Sequence, residues 1–167
     1  QQLARIFGEM QMAQASAERV FTLLDTEPEI VDTPASLETE GDAFAPKKEN
    51  WVPVRGEVVF EDVTFRYGDG PVVLKHFNLH VSPGQTIALV GQTGSGKSTI
   101  VNLLCRFYEP TSGRSLLDGV DIRAHSQAFL QSHLGYVLQA PHLFSGTIAD
   151  NIRYGDPTAS MERVRWA

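Results

Sequence analysis

The sequence has little of three features that would each point to a particular class of protein. Its 167 residues include a single cysteine, Cys105, so an internal disulfide cannot form and stability must come from a packed core. No apolar run approaches the roughly 18 residues of a membrane span, and the first residues lack the basic-then-apolar order of an export signal. With 14 basic against 20 acidic residues, the chain also lacks the positive excess typical of nucleic-acid binding, so we expect no nucleic-acid partner.

The acidic charge is concentrated in one segment. Residues 25–50 hold eight acids and two bases, whereas the rest of the sequence is balanced. This segment also contains three of the nine prolines and shows no sustained hydrophobic period. We therefore predict an extended linker over residues 25–53. Ile30, Val31 and Phe44 are the apolar side chains expected to pin it to a neighbouring surface.

A helical pattern precedes this linker. Residues 1–24 place apolar side chains at steps of three and four among good helix formers, which predicts an amphipathic helix. On pattern alone, such a helix is more often a packing element of a core than a partner-binding one.

From residue 54 onward the pattern becomes one of strands, turns and short helices. Two alternating segments, 59–67 and 77–81, predict strands, with a bulge near residues 60–62. The run 86–90 is apolar without alternation, which is typical of a strand covered on both faces. A helix is predicted over residues 98–108. Later patterns predict a strand over 135–139 and helices over 127–133, 147–153 and 160–166. This alternation predicts an α/β domain over residues 54–167.

Nine consecutive residues carry the strongest chemical signal. The first eight match the pattern G-x-x-x-x-G-K-[ST], and the nine follow a predicted strand and lead into a predicted helix; they are Gly91, Gln92, Thr93, Gly94, Ser95, Gly96, Lys97, Ser98 and Thr99. Backbone N–H groups of such a loop, with the positive end of the helix, bind clustered phosphates. Lys97 is expected to reach the β and γ phosphates, Ser98 to bind Mg²⁺, and Thr99 to lie near the α phosphate.

The alternative meaning of this motif is a glycine-rich turn that happens to precede a helix. From average residue usage, the four fixed positions arise by chance in roughly one per cent of chains of this length. Nucleotide binding is therefore the favoured interpretation. The motif does not name the reaction, because kinases, GTPases and transport ATPases share it.

Four further segments, together with the phosphate loop, carry a resemblance to a known family. Upstream of the loop they are GEVVFEDVTFRY (56–67) and PVVLKHF (71–77), and downstream they are GYVLQ (135–139) and LFSGTIADNI (143–152). The sequence resembles the nucleotide-binding domain of an ATP-binding cassette (ABC) transporter of the exporter type. The resemblance implies the P-loop NTPase core of an ABC ATPase with an antiparallel β subdomain, incomplete here. It also implies that residues 1–24 extend the last membrane helix.

The resemblance assigns roles to single residues. Tyr67 is expected to stack on adenine with Val73 as an apolar neighbour, although Tyr67 alone would more simply be a core aromatic at a strand end. Gln139 corresponds to the glutamine that reaches the Mg²⁺ and water region, so Gln139 and Ser98 are the expected metal contacts. Lys97 and Gln139 are the expected catalytic residues.

The resemblance also implies partners. The segment 141–147 is expected to face the transmembrane domain, with Phe144 as a contact, although a core phenylalanine is equally compatible with the pattern. A second nucleotide-binding domain is the other expected partner, ATP and Mg²⁺ are the expected cofactors, and the cytoplasmic face of the membrane is the expected location.

Three family motifs do not occur in the sequence. There is no Leu-Ser-Gly-Gly-Gln signature, no apolar strand ending in Asp-Glu and no later switch histidine. We therefore expect a truncated domain that binds ATP but does not turn it over alone. Two alternatives remain at this point: a soluble ABC ATPase without a transport role, and a noncatalytic nucleotide-binding module. Zinc is not expected, since the five histidines show no metal-ligand spacing.

Overall fold

The computed structural model describes residues 2–140 and 142–167. They divide into two compact units, the first ending at Leu134 and the second running Gly135–Ala167. The helices are α1 (Gln2–Leu24), α2 (Pro34–Glu40), α3 (Lys97–Leu104), α4 (Gln127–Ser132), α5 (Ile148–Ile152) and α6 (Met161–Trp166), and the strands are β1 (Val58–Arg66), β2 (Val72–Val81), β3 (Ser112–Leu117) and β4 (Val120–Asp121). Single 3₁₀ turns lie at Lys48–Asn50, Ile122–Ala124 and Arg153–Gly155.

The four strands form one antiparallel sheet in the order β2-β1-β3-β4. The predicted bulge is confirmed, because the register of β1 shifts between Phe60 and Val63 and Asp62 has a φ of 52°. Gly113 of β3 passes close to this bulge. A Cβ on Gly113 would lie 2.4 Å from the Asp62 carbonyl oxygen, so the close approach of the two strands requires glycine there.

The core of the first unit has two parts. One lies between the β1–β2 pair and α3, and comprises Phe60, Val63, Phe65, Leu74, Ile100 and Leu103. The other lies between β3 and α4, and comprises Leu117, Ile122, Phe129 and Leu130. The first part anchors α3, which carries the phosphate loop at its N-terminus, directly onto the sheet.

Two predicted strands are not formed. Residues 86–90 and 135–139 are irregular in the structure, and Val90 and Val137 are 94% and 95% exposed. An apolar run becomes a strand only where a neighbouring backbone accepts and donates its ladder hydrogen bonds. Neither run is paired with another strand in the part of the chain that the structure describes.

The linker is also more ordered than predicted. Residues 34–40 form α2, whose N-cap Thr33 accepts a hydrogen bond from the Ser36 N–H. Of the three apolar side chains expected to pin the linker, Phe44 and Val31 are 98% and 62% exposed, whereas Ile30 is half-buried. The linker's acidic side chains make the buried contacts.

Helix α1 differs from the linker in its contacts. The predicted helix is confirmed over Gln2–Leu24, and Gln1 lies outside the described residues. The side chains of residues 10–24 are all exposed. Among the described residues, no helix combines the length and apolar character needed to cross a membrane.

Candidate nucleotide-binding site

The phosphate loop leads into α3 through two glycines with left-handed backbone. Gly94 and Gly96 have φ values of 85° and 88°, and Gly96 is the N-cap residue of α3. A side chain at either position would be strained, because L residues disfavour this region. The two glycines therefore permit the sharp turn by which the loop enters the helix.

Steric crowding explains two of the loop glycines further. A Cβ on Gly91 would lie 2.6 Å from Ser95 Oγ, and a Cβ on Gly96 would lie 2.9 Å from Leu74 Cδ2 and 3.4 Å from Val73 Cγ1. The loop thus closes on itself at Gly91. At Gly96 it packs against β2, which brings Val73 beside the loop; the predicted contact of Val73 with the adenine stays a prediction.

The ammonium group of Lys97 lies within the loop. Its Nζ donates hydrogen bonds to the carbonyl oxygens of Gly91 at 2.8 Å and Gln92 at 2.7 Å. Ser98 is exposed on the first turn of α3, and Gln92 and Thr93 are exposed on the loop. A positive charge, a free-facing hydroxyl and a helix N-terminus together suit a polyphosphate carrying Mg²⁺.

An aromatic group lies beside this loop. Tyr67 directly follows β1, and its ring makes edge contacts with Phe65 at 4.8 Å and Tyr108 at 5.0 Å between centroids. Its hydroxyl is 3.0 Å from Thr99 Oγ1. The structure therefore brings Tyr67, Val73 and the phosphate loop together, while Thr99 is buried and bonded to Tyr67. Tyr108 belongs to no motif, so sequence reasoning missed it.

A cleft of about 400 Å³ opens beside these rings. Tyr67 and Tyr108 line it, and Glu29 and Ile30 of the linker line it as well. The linker thus contributes to the surface next to the base-stacking candidate. Ile30 is one of the apolar side chains expected to hold the linker against a neighbouring surface, but its place beside Tyr67 was not predicted.

The remaining predicted residues belong to the second unit. Gln139 is exposed in the irregular stretch before residue 141, and its predicted metal and catalytic roles stay predictions. Pro141 lies outside the described residues. Phe144 is 46% exposed, so it is not a core residue of this unit.

Phe144 forms one wall of an open groove of about 500 Å³. Its ring stacks on Tyr154 with centroids 4.3 Å apart, and the Asn151 side chain holds its backbone through bonds to Phe144 N at 2.8 Å and O at 3.0 Å. A reciprocal capping box between Thr147 and Asp150 begins α5. The hydrogen bond from the Thr147 hydroxyl is the main reason that the pKa of Asp150 is lowered.

Two titratable groups outside the loop, Cys105 and Asp118, have pKa shifts with structural causes. Burial raises the pKa of the Cys105 thiol, consistent with a neutral core side chain. Desolvation raises the pKa of Asp118, but N–H groups of Glu57 and Arg55 and the charge of Arg55 together outweigh it, so the net shift is downward. Among the residues that the structure describes, no cluster of His, Cys, Asp and Glu could hold a metal ion.

Comparison with known proteins identifies relatives over nearly the whole chain. Residues 74–167 match the sequence family described as "ABC transporter". The chain is 46% identical over 164 residues to the "Fatty acid ABC transporter ATP-binding/permease protein" of Mycobacterium bovis, covering 98% of this chain and 24% of that protein. It is 43% identical over 159 residues to the "Probable multidrug resistance ABC transporter ATP-binding/permease protein YheH" of Bacillus subtilis, covering 95% and 22%.

A solved structure shows the same fold. The "Structure of a bacterial Atm1-family ABC exporter with ATP bound" matches with a TM-score of 0.76 and 35% identity, covering 96% of this chain and 26% of that one. The chain therefore spans about a quarter of the length of the relatives that it matches.

Proposed function

Because this chain belongs to the ABC transporter family, we propose that it is the ATP-binding portion of an exporter that couples ATP hydrolysis to transport across a membrane. The observation that carries the proposal is the phosphate loop, with Lys97 inside it and Tyr67 and Val73 beside it. The names of the relatives support it, since they describe ATP-binding/permease proteins.

The residues fit the ligand chemistry. Lys97 would neutralise phosphate charge, Ser98 would bind the metal, and Tyr67 would offer a ring to the base. Mg²⁺ supplies charge neutralisation on the β and γ phosphates when it is bound. Gln139 would contact the metal and water region. Turnover would be completed by groups outside this segment, so the segment alone would bind ATP without hydrolysing it.

The partners follow from the same proposal. The groove at Phe144 would receive a helix of the transmembrane domain, because the stacked rings of Phe144 and Tyr154 are exposed and Asn151 fixes the backbone of Phe144. A second nucleotide-binding domain would complete the site. The segment would then lie at the cytoplasmic face of the membrane.

The direct test is nucleotide binding by the complete protein. Lys97→Ala should weaken Mg-ATP binding about 100-fold, because it removes a charge-assisted contact to phosphate. Lys75→Ala is the matched control, since Lys75 is an exposed lysine on β2 and should bind ATP like the parent. Calorimetry that shows equal affinity for the parent and the Lys97 variant would overturn the proposal.

The role of Gln139 has a separate test. Gln139→Ala should leave Mg-ATP affinity within about two-fold of the parent but lower the hydrolysis rate roughly 10-fold or more, as expected for a residue acting on the reacting water. Steady-state phosphate release by the complete protein measures this. An unchanged rate would remove Gln139 from the mechanism.

A further inference from the structure

Helix α3 ends in an unusual way. Arg106 has a φ of 52°; its N–H donates to Leu103 O at 3.1 Å, and the Phe107 N–H donates to Asn102 O at 2.9 Å. These two bonds form a Schellman motif, in which the left-handed position is usually glycine. Because glycine would carry less strain there, the side chain of Arg106 must supply a compensating interaction.

That interaction is with the linker. The guanidinium is 2% exposed and donates from Nη1 to Asp32 Oδ1 at 3.0 Å and from Nη2 to Val31 O at 3.1 Å. It also donates to His125 O at 2.7 Å and to Glu109 Oε1 at 3.1 Å. One buried arginine thus joins the C-terminal end of α3, the linker and the segment before α4.

The linker has further attachments around this arginine. Asp32 also accepts from the Gln127 N–H at 3.0 Å, and the Glu40 carboxylate is 2.7 Å from His125 Nδ1 and accepts from the Ser126 N–H. We call Asp32, Glu40, Arg106, His125, Ser126 and Gln127 the linker clasp. Its charged groups are paired and hydrogen-bonded, which is the condition for burying charge.

The clasp is connected to the candidate nucleotide site by short contacts. Tyr108 lies two residues after Arg106 and packs against Tyr67, whose hydroxyl bonds to Thr99 of α3. Glu29 and Ile30, just before the clasp, line the cleft beside these rings. This series of contacts begins and ends at α3, because Thr99 lies in the helix and Arg106 directly follows its C-cap residue, Cys105.

We propose that the linker clasp is a positioning element of the nucleotide site: it holds Arg106 and thereby fixes Tyr108 against Tyr67, so that the ring of Tyr67 is presented to the base. This inference rests on the proposed function. It makes the linker a part of the binding site and not a passive connection. We expect the larger effect on recognition of the base, because the phosphate loop also packs on β2 at Gly96 and α3 packs on the core, both without the clasp.

The test compares Mg-ATP with Mg-tripolyphosphate, which has the phosphates but no base, on the complete protein. Asp32→Asn removes the charge facing Arg106 and should weaken ATP binding about five-fold, which is within the range of interaction energies measured between residues in contact. The same variant should weaken tripolyphosphate binding by less than about two-fold. Glu61→Gln is the matched control, because Glu61 is an exposed carboxylate paired with Arg114; it should bind both ligands like the parent.

Two more variants separate positioning from simple loss of stability. Arg106→Gly breaks the clasp but relieves the backbone strain at the end of α3, and should reproduce the base-selective loss. Combined with Asp32→Asn, it should be no worse than Arg106→Gly alone, because the ion pair between Asp32 and Arg106 is already lost and an asparagine oxygen can still accept from the Gln127 N–H. Tyr108→Leu leaves the clasp intact and should show the same selective loss, which keeps the inference testable if a clasp variant does not fold.

The outcomes are distinct. Equal weakening of both ligands, or parental ATP affinity in either Arg106→Gly or Tyr108→Leu, overturns the inference. Failure of the parent protein to bind ATP overturns the proposed function instead. A base-selective loss in Asp32→Asn, Arg106→Gly and Tyr108→Leu, with parental behaviour of Glu61→Gln, supports the inference.

Discussion

The two segments that precede the sheet, α1 and the linker, reverse the expectation that their sequences create. Helix α1 has regular apolar spacing, yet Phe21 and Leu24 are 63% and 72% exposed. The linker is acidic and has no period, yet Asp32 and Glu40 make buried contacts with Arg106 and His125. A hydrophobic pattern shows which face a helix can bury, whereas the contacts depend on the partner available in the fold.

The energetic basis of the two segments differs accordingly. The linker is held by a few directional bonds to buried groups, each of which is costly to leave unpaired. The described part of α1 gains its order from its own backbone hydrogen bonds and from favourable helix propensities. Single changes should therefore have large effects in the linker and small effects in α1. Five experiments, from the largest expected effect to the smallest, examine this difference.

Arg106→Leu should have the largest effect. It leaves Asp32 buried without its ionic partner, which typically costs about 3–5 kcal/mol. Amide hydrogen exchange of residues 31–41 in the complete protein measures the local opening free energy. Parental protection of these amides would show that the linker is held by something other than the clasp.

Glu40→Gln should be less costly. The glutamine amide keeps the shape of the side chain, but the negative charge is lost. In the parent, one carboxylate oxygen of Glu40 accepts a hydrogen bond from the Ser126 N–H and the other faces His125 Nδ1. We expect a loss of about 1–3 kcal/mol in the same exchange measurement. Glu38→Gln is the control, because Glu38 lies on the exposed side of α2 and its side chain should matter little.

Thr33→Ala tests the cap of α2. The Thr33 hydroxyl accepts from Ser36 N–H at 3.1 Å, and loss of such a cap costs about 1 kcal/mol. Thr33→Ser retains the hydroxyl and should keep most of the protection of the α2 amides. Equal exchange in the Ala and Ser variants would mean that burial, and not the cap, sets the stability of this helix.

A pH effect is expected where the linker joins β1. Asp118 accepts hydrogen bonds from the N–H groups of Arg55 at 2.6 Å and Glu57 at 2.8 Å, and its pKa is lowered in the folded protein. A lowered pKa means that the carboxylate stabilises the fold above its ordinary value of 3.8 and that this contribution is lost as the pH falls through the folded pKa.

The corresponding measurement compares the parent with Asp118→Asn. Exchange of the amides of residues 55–58 should differ between the two proteins at pH 6 and converge in acid, because the protonated parent then resembles the variant. A difference that does not depend on pH would assign the effect to the shape of the side chain and not to its charge.

Substitutions in α1 should have the smallest effect. Phe21→Ser and Leu24→Ser should change the protection of the α3 and α4 amides by no more than about 0.5 kcal/mol, as is usual for exposed positions. A larger change in these amides would show that α1 supports the sheet unit, and would remove the contrast with the linker.

The sequence predicted those features that depend on neighbouring residues. The phosphate loop, the bulge near Asp62 and the helix over residues 2–24 all follow from local patterns of glycine and apolar spacing. Residues 86–90 were predicted wrongly as a strand, because an apolar run does not reveal whether a ladder partner exists. The helix predicted over residues 98–108 ends at Leu104 in the structure. Arg106 adopts the left-handed backbone that ends the helix, and an arginine in the sequence does not indicate that conformation.

The linker clasp could not be predicted for a different reason. Asp32 and Arg106 are 74 residues apart in the chain, and an acid-rich, proline-containing segment usually indicates a solvated connection. Nothing in the sequence marks Arg106 as buried, and its burial is visible only in the structure. Tyr108 was missed likewise, because its contact with Tyr67 exists only once α3 is packed on β1.

The clasp also indicates where along the chain the folded unit that contains the sheet begins. In a chimaera joined at residue 54, where the strand pattern begins, Arg106, His125 and Gln127 would lose their carboxylate partners, Asp32 and Glu40. The buried Arg106 would then lack its ion pair with the linker. A junction placed before Glu29 keeps those partners and the wall of the cleft. The part of the chain that keeps these contacts therefore begins at or before Glu29, about 29 residues earlier than the first strand, which begins at Val58.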